Sequence, residues 1–133
     1  MPERNTHMVL ALPHSPETHH IIGRAAIAQM KPGSHLVNVA RGGLVDHDAL
    51  LDALDGGRIA AASLDVTDPE PLPAGHPLYA HPKVRLSPHM AWSGPGTIDR
   101  LVNKFNDNLA RLIENRPLRD MLTSEVGHEA CAV

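Results

Sequence analysis

Short apolar runs, separated by polar stretches punctuated with glycine and proline, set the pattern of this chain. The first run, Met8 to Leu12 (MVLAL), is continuously apolar and is stopped by Pro13, the form of a strand buried on both faces of a parallel sheet. In the following SPET, a serine precedes a proline at the first helical position, which predicts a short helical turn from Ser15. A helix is expected over Gly23 to Met30, then the break Lys31-Pro32-Gly33, then a second strand from His35 to Val39 (HLVNV) ending at Arg41-Gly42-Gly43. Asp46 is placed to cap a helix whose Ala49, Leu50, Ala53 and Leu54 share one face, with Gly56-Gly57 where helices commonly end.

A third apolar run, Ile59 to Val66 (IAAASLDV), completes the order strand, helix, strand, helix, strand. The strands recur about every 26 residues, the separation of parallel crossover units. Five prolines between Thr67 and Pro82 are too many for a crossover helix, so a rigid loop is expected there. Val84 to Ser87 reads as a short fourth strand. From Thr97 to Asn115, Ile98, Leu101, Val102, Phe105, Leu109, Leu112 and Ile113 keep helical period, which predicts a long amphipathic helix. Arg116 to Val133 shows no period and reads as a loop and tail.

Composition narrows the class. The chain has 133 residues, with 12 Lys and Arg against 15 Asp and Glu, a net charge of −3. The mild acidity, with Tyr79, Trp92 and Phe105 as its aromatics, argues against a nucleic-acid binder. No apolar run approaches the roughly 20 residues needed to span a bilayer, so no membrane association is expected. Cys131 is the single cysteine, and Met1 to Thr6 lack the apolar core of a secretory signal, so a cytoplasmic location is expected.

The carboxyl ends of parallel strands share one edge, where ligands bind. Arg41 follows the second strand, Asp65 ends the third, and His89 follows the fourth. Pro88 stiffens the approach to His89, and Glu70 stands between Pro69 and Pro71. A guanidinium, a carboxylate and an imidazole at one edge suit reduction of a carbonyl beside a carboxylate. The fork of Arg41 can bind the substrate carboxylate and polarise the carbonyl, His89 can donate the proton, and Glu70 can hold the histidine ring in place. The hydride would come from a nicotinamide, with Asp65 accepting from its carboxamide. Taken singly, each residue has a plainer reading: a solvated arginine, a turn-capping aspartate, an exposed loop acid, a backbone-bonded histidine. Among the ten histidines, His14, His19 and His20 lie close in sequence and His76 and His81 form a second pair, but their irregular loop spacing lacks the frame of a zinc site, and no metal is expected. Ser63, Ser87 and Ser93 lack the nucleophile-elbow pattern of a serine hydrolase.

The segments LPHSPET, MKPGSHLVNVARGGLVDHDAL, ASLDVTDPEPLP and HPLYAHPKVRLSPHMAW, with the closing helix, resemble the D-isomer-specific 2-hydroxyacid dehydrogenase family from Val9 to about Leu118. The resemblance implies an NAD(P)-dependent oxidoreductase acting on the CH-OH group of a 2-hydroxy acid, with Arg41, Glu70 and His89 as its catalytic group. It implies NAD or NADP contacts at Leu12, Pro13, Thr18, Val39, Ala40, Arg41, Asp65, His89 and Ala91. Trp92 in SPHMAWSGP is similar to the glyoxylate and hydroxypyruvate reductase branches. The implied fold is α/β, an incomplete Rossmann-like doubly wound parallel sheet of about four strands with a long C-terminal helix. Residues 1–115 would form the second half of a dinucleotide-binding domain and residues 116–133 a tail.

Family members resemble a chain more than twice this long. The phosphate-binding fingerprint G-x-G-x-x-G and the acid about 20 positions beyond it have no counterpart here, and Gly94-Pro95-Gly96 lacks the third glycine. The expectation is therefore a C-terminal fragment of such an enzyme, partnered by a small 2-keto or 2-hydroxy acid and by a complementing N-terminal half or a second copy. The alternative is a non-catalytic remnant or interaction module.

Overall fold

In the computed structural model, residues 7–121 are described. The chain divides into two compact units, Met1–Ala91 and Trp92–Val133. In the first, strands β1 (His7–Leu10), β2 (Ser34–Asn38), β3 (Ile59–Leu64) and β4 (Val84–Leu86) alternate with helices α1 (Arg24–Gln29), α2 (His47–Asp55) and α3 (Pro77–Ala80). A single 3-10 turn, Gly42–Leu44, lies between β2 and α2. All neighbouring strands pair in parallel, in the order β1-β2-β3-β4. This is a Rossmann-like α/β sheet.

Alternation along β2 explains its two faces. Ser34, Leu36 and Asn38 are buried, whereas His35 and Val37 on the other face are only partly covered. Leu36 packs in the core with Leu64 of β3 and with Leu50 and Leu54 of α2. Asp46 caps α2 as its sequence predicts, accepting from the Ala49 amide at 2.9 Å. The helix ends before Gly57, whose φ of 73° lies in the left-handed region. Arg58 then closes the neighbouring helix: its Nη2 donates to the carbonyl oxygens of Ala28, in the last turn of α1, and of Met30, just past its end, the latter at 2.6 Å.

The boundaries differ from the sequence reading in physically intelligible ways. β1 spans His7–Leu10, so Leu12 and Pro13 belong to the loop that follows it. The Ser15 turn forms, with the amides of Thr18 and His19 donating to Ser15 O, but the Ser15 hydroxyl bonds the Glu17 carboxylate at 2.7 Å instead of a backbone amide. Within the proline-rich connection the four-residue α3 forms after all. Pro77 occupies its first turn, His76 Nδ1 accepts from the Leu78 amide at 3.2 Å, and Leu78 is buried.

The second unit is built on α4 (Thr97–Ile113), which starts after Gly96 at a φ of 73°. Its predicted apolar stripe is present, but none of its residues is buried. The Asn108 side chain binds both backbone groups of Arg119, at 2.9 and 3.1 Å, so the chain after the helix turns back along it. The predicted tail lies outside the described residues from 122 onward. No helix among the described residues is long and apolar enough to cross a membrane.

Candidate active site

The loops leaving the carboxyl ends of β1, β2 and β3 meet at Gly42 and Gly43. A Cβ at Gly42 would sit 2.0 Å from the carbonyl carbon and oxygen of Thr67, so the loop carrying Arg41 lies directly against the loop carrying Glu70. A Cβ at Gly43 would come within 2.7 Å of His14 Nε2, and Gly43 O accepts from the His20 amide at 2.8 Å. The loop after β1, with Leu12, Pro13 and Thr18, is thus tied to the same place. Thr18 Oγ1 donates to Pro13 O at 3.0 Å and accepts from the Ser15 amide at 2.7 Å, which stiffens that loop.

Around β3 and β4 the contacts are direct. His89 Nδ1 lies 2.9 Å from Glu70 Oε1, both side chains being less than half exposed. The His89 amide donates to Asp65 O at 2.9 Å, and the residue has a φ of 49°, an uncommon conformation for a side-chain-bearing residue. Asp65 is buried. Its Oδ1 accepts from the Ser87 hydroxyl and from the Met90 amide at 3.0 Å, and its Oδ2 from the Ala91 amide at 2.7 Å. Burial would raise the Asp65 pKa, but the hydrogen bonds from Ser87, Ala91 and Met90, together with the charge of His89, outweigh it and hold the carboxyl below its usual range. A lasting carboxylate therefore pins the His89 loop to the end of β3.

Arg41 has extended backbone at the end of the β2 loop, and its Nη1 donates to Ala40 O at 2.7 Å. Val39, two positions before it, exposes an apolar side chain. A cavity of about 400 Å³ opens beside Glu70, walled by Leu72, Tyr79, Leu86 and Pro88, with Asp65 and Ser87 also on its lining. The structure therefore brings Asp65, Glu70, His89 and Ala91 into one bonded group, and joins the Arg41 loop to it by the Gly42 contact. Among the described residues no three histidine, cysteine or acidic side chains are grouped to hold a metal ion.

One residue escaped the sequence reading. Asn38, the last residue of β2, is fully buried and bonds the backbone on either side of the Ala40–Arg41 peptide. A polar side chain in the apolar run HLVNV, three positions before an arginine, is the signal that could have found it.

Residues 3–91 match the family described as D-isomer specific 2-hydroxyacid dehydrogenase, NAD binding domain. Glyoxylate/hydroxypyruvate reductase A of Serratia proteamaculans is 45% identical over 84 residues, which are 63% of this chain and 27% of that protein. Glyoxylate/hydroxypyruvate reductase B of Pectobacterium atrosepticum is 49% identical over 83 residues, 62% of this chain and 26% of the relative. The chain thus spans about a quarter of the length of these curated relatives. Among solved structures, a D-isomer specific 2-hydroxyacid dehydrogenase of Xanthobacter autotrophicus in complex with NADPH and MES superposes with a TM-score of 0.81 at 34% identity, covering 92% of this chain and 50% of that one. D-mandelate dehydrogenase of Rhodotorula graminis gives 0.78 at 33% identity, with coverage of 87% and 34%. With the family match extending over two thirds of its length and the sheet edge built as described, the chain belongs to the NAD-binding domain family of the D-isomer specific 2-hydroxyacid dehydrogenases.

Proposed function

We propose that this chain supplies the proton-donating and nicotinamide-side part of an oxidoreductase that interconverts a 2-hydroxy acid and a 2-keto acid with NAD or NADP. The observation that carries the reading is the 2.9 Å contact between His89 Nδ1 and Glu70 Oε1, on a loop pinned by Asp65. Glu70 fixes the ring, so that Nε2 is the atom that delivers a proton to the substrate carbonyl oxygen. Arg41 binds the substrate carboxylate through its planar fork and draws electron density from the carbonyl.

The residues present suit the nicotinamide end of a dinucleotide. Asp65 receives three donors where a carboxylate offers about four lone-pair sites, which leaves acceptor capacity for a carboxamide N–H. Leu12, Pro13, Thr18, Val39, Ala40 and Ala91 complete the surface on which it would lie. When bound, the reduced dinucleotide supplies a hydride to the carbonyl carbon. His89 would then give the proton to the carbonyl oxygen while Arg41 holds the carboxylate beside it.

On this reading residues 1–115 act as the second half of a dinucleotide-binding domain in a cytoplasmic enzyme, and the rest of the site comes from a complementing segment such as the longer relatives contain. Mixing the chain with that segment should give NADH-dependent reduction of glyoxylate or hydroxypyruvate. His89→Ala should lower the rate roughly 10²- to 10⁴-fold. Unchanged activity in the variant would remove His89 as the proton donor. The unburied apolar stripe of α4 favours a second reading, a non-catalytic interaction module. Absence of any reduction by the complemented wild-type chain would favour it.

A further inference from the structure

The geometry points to Asn38 as the positioning residue for Arg41. This rests on the proposed role of Arg41 in holding a substrate carboxylate. Asn38 lies at the end of β2 with no exposed surface. Its Nδ2 donates to Arg41 O at 2.8 Å and its Oδ1 accepts from the Ala40 amide at 3.1 Å. Both ends of one carboxamide are thus spent on the two peptides that flank the Ala40–Arg41 bond, and no other contact of that side chain is needed to explain its burial.

The arrangement is specific to an amide. Leucine has the same branched heavy-atom skeleton, though a larger volume, and is apolar like the surrounding core, which includes Leu36 and Leu64. It would leave the Ala40 amide and the Arg41 carbonyl without these partners. Aspartate would keep the acceptor for Ala40 but set a carboxylate against Arg41 O. Only its protonated form can donate there. The opposite side of the turn is already constrained, because Gly42 lies against the Thr67 carbonyl with no room for a side chain. Asn38 from within and Thr67 from without therefore fix the direction in which residue 41 leaves the sheet.

The test is made on the full chain by NMR, with amide hydrogen exchange and with titration of oxamate, a carboxylate analogue of a 2-keto acid. Asn38→Leu should speed exchange of the Ala40 amide and weaken oxamate binding, each roughly tenfold, while Leu36 and Leu64 keep their protection. Asn38→Asp should keep Ala40 protected but lose the donor to Arg41 O, so oxamate binding should weaken at neutral pH and recover as acidification protonates the new carboxyl. Wild-type Ala40 exchange and affinity in both variants would overturn the inference. So would loss of protection throughout the sheet in both, which would mark Asn38 as a core residue only. If the wild-type chain alone does not bind oxamate, the affinity arm moves to the chain mixed with the complementing segment, and the exchange of Ala40 still decides whether Asn38 sets the turn.

Discussion

At the scale of single residues, Asp65 shows how much of the site is held by one buried carboxylate. The donors it gathers come from Ser87, Met90 and Ala91, which flank His89 on both sides. In Asp65→Asn an amide nitrogen would face at least one of them, at a cost of about 1–3 kcal/mol. The sign of the pH effect follows from the lowered pKa of Asp65. Its contribution is full above the ordinary aspartate value of about 3.9 and is lost as pH falls through the lower folded value. Urea midpoints of wild type and variant should therefore differ at pH 7 and converge in strong acid. Equal midpoints at pH 7 would disprove the pinning role. The placement of Arg41, Asp65 and His89 just beyond β2, β3 and β4 was legible in the sequence because chemistry-bearing side chains follow apolar runs there, whereas Glu70 stood out by the prolines on either side of it. Asn38 was not, because a buried amide bonded to backbone differs from an ordinary strand-end residue only in its surroundings.

At the scale of elements, α2 carries a feature that its amphipathic pattern conceals. His47 stands in its first turn, nearly buried, and its Nε2 has no hydrogen-bond partner among the described residues. Burial first, then the charges of His76 and His20, push its pKa down, against the opposing pull of Asp68 and Asp46. A histidine kept neutral in the fold favours stability above its ordinary pKa of about 6.5, and that stability falls as pH drops toward the lower folded value. Thermal melts between pH 7 and 5 should show a decline that is shallower in His47→Leu; an identical slope would show that His47 stays outside the titration. The strands and α2 could be anticipated because period and punctuation agree there. The four-residue α3 could not, since its prolines argue against a crossover helix while Pro77, at the first turn, is compatible with a short one.

For the whole molecule, the decisive fact is how unevenly apolar surface is covered. Leu36, Leu50, Leu54, Ile59 and Leu64 are wholly enclosed around the sheet, whereas Leu101, Phe105, Leu112 and Ile113 of α4 are each more than 60% exposed. Exposed stripes of this kind drive association. The chain alone should elute larger than a monomer at high concentration, and Leu101→Lys with Phe105→Glu should return it to monomer size by chromatography with light scattering. A wild-type monomer at every concentration would refute this. Periodicity identified the helix and its apolar side, but periodicity records only that a side is apolar; what covers it depends on neighbours that the local pattern does not encode.

The uninterrupted progression of strands works as a comb whose teeth stand about 4.8 Å apart. Arg41 is mounted beyond the second tooth, Asp65 beyond the third and His89 beyond the fourth. On the proposed function, a small acid held by Arg41 and reached by His89 would lie athwart the teeth, with its long axis perpendicular to the strands. Exchanging β1 and β2 in the sheet would set Arg41 three strand spacings from His89 instead of two, however faithfully each loop were preserved.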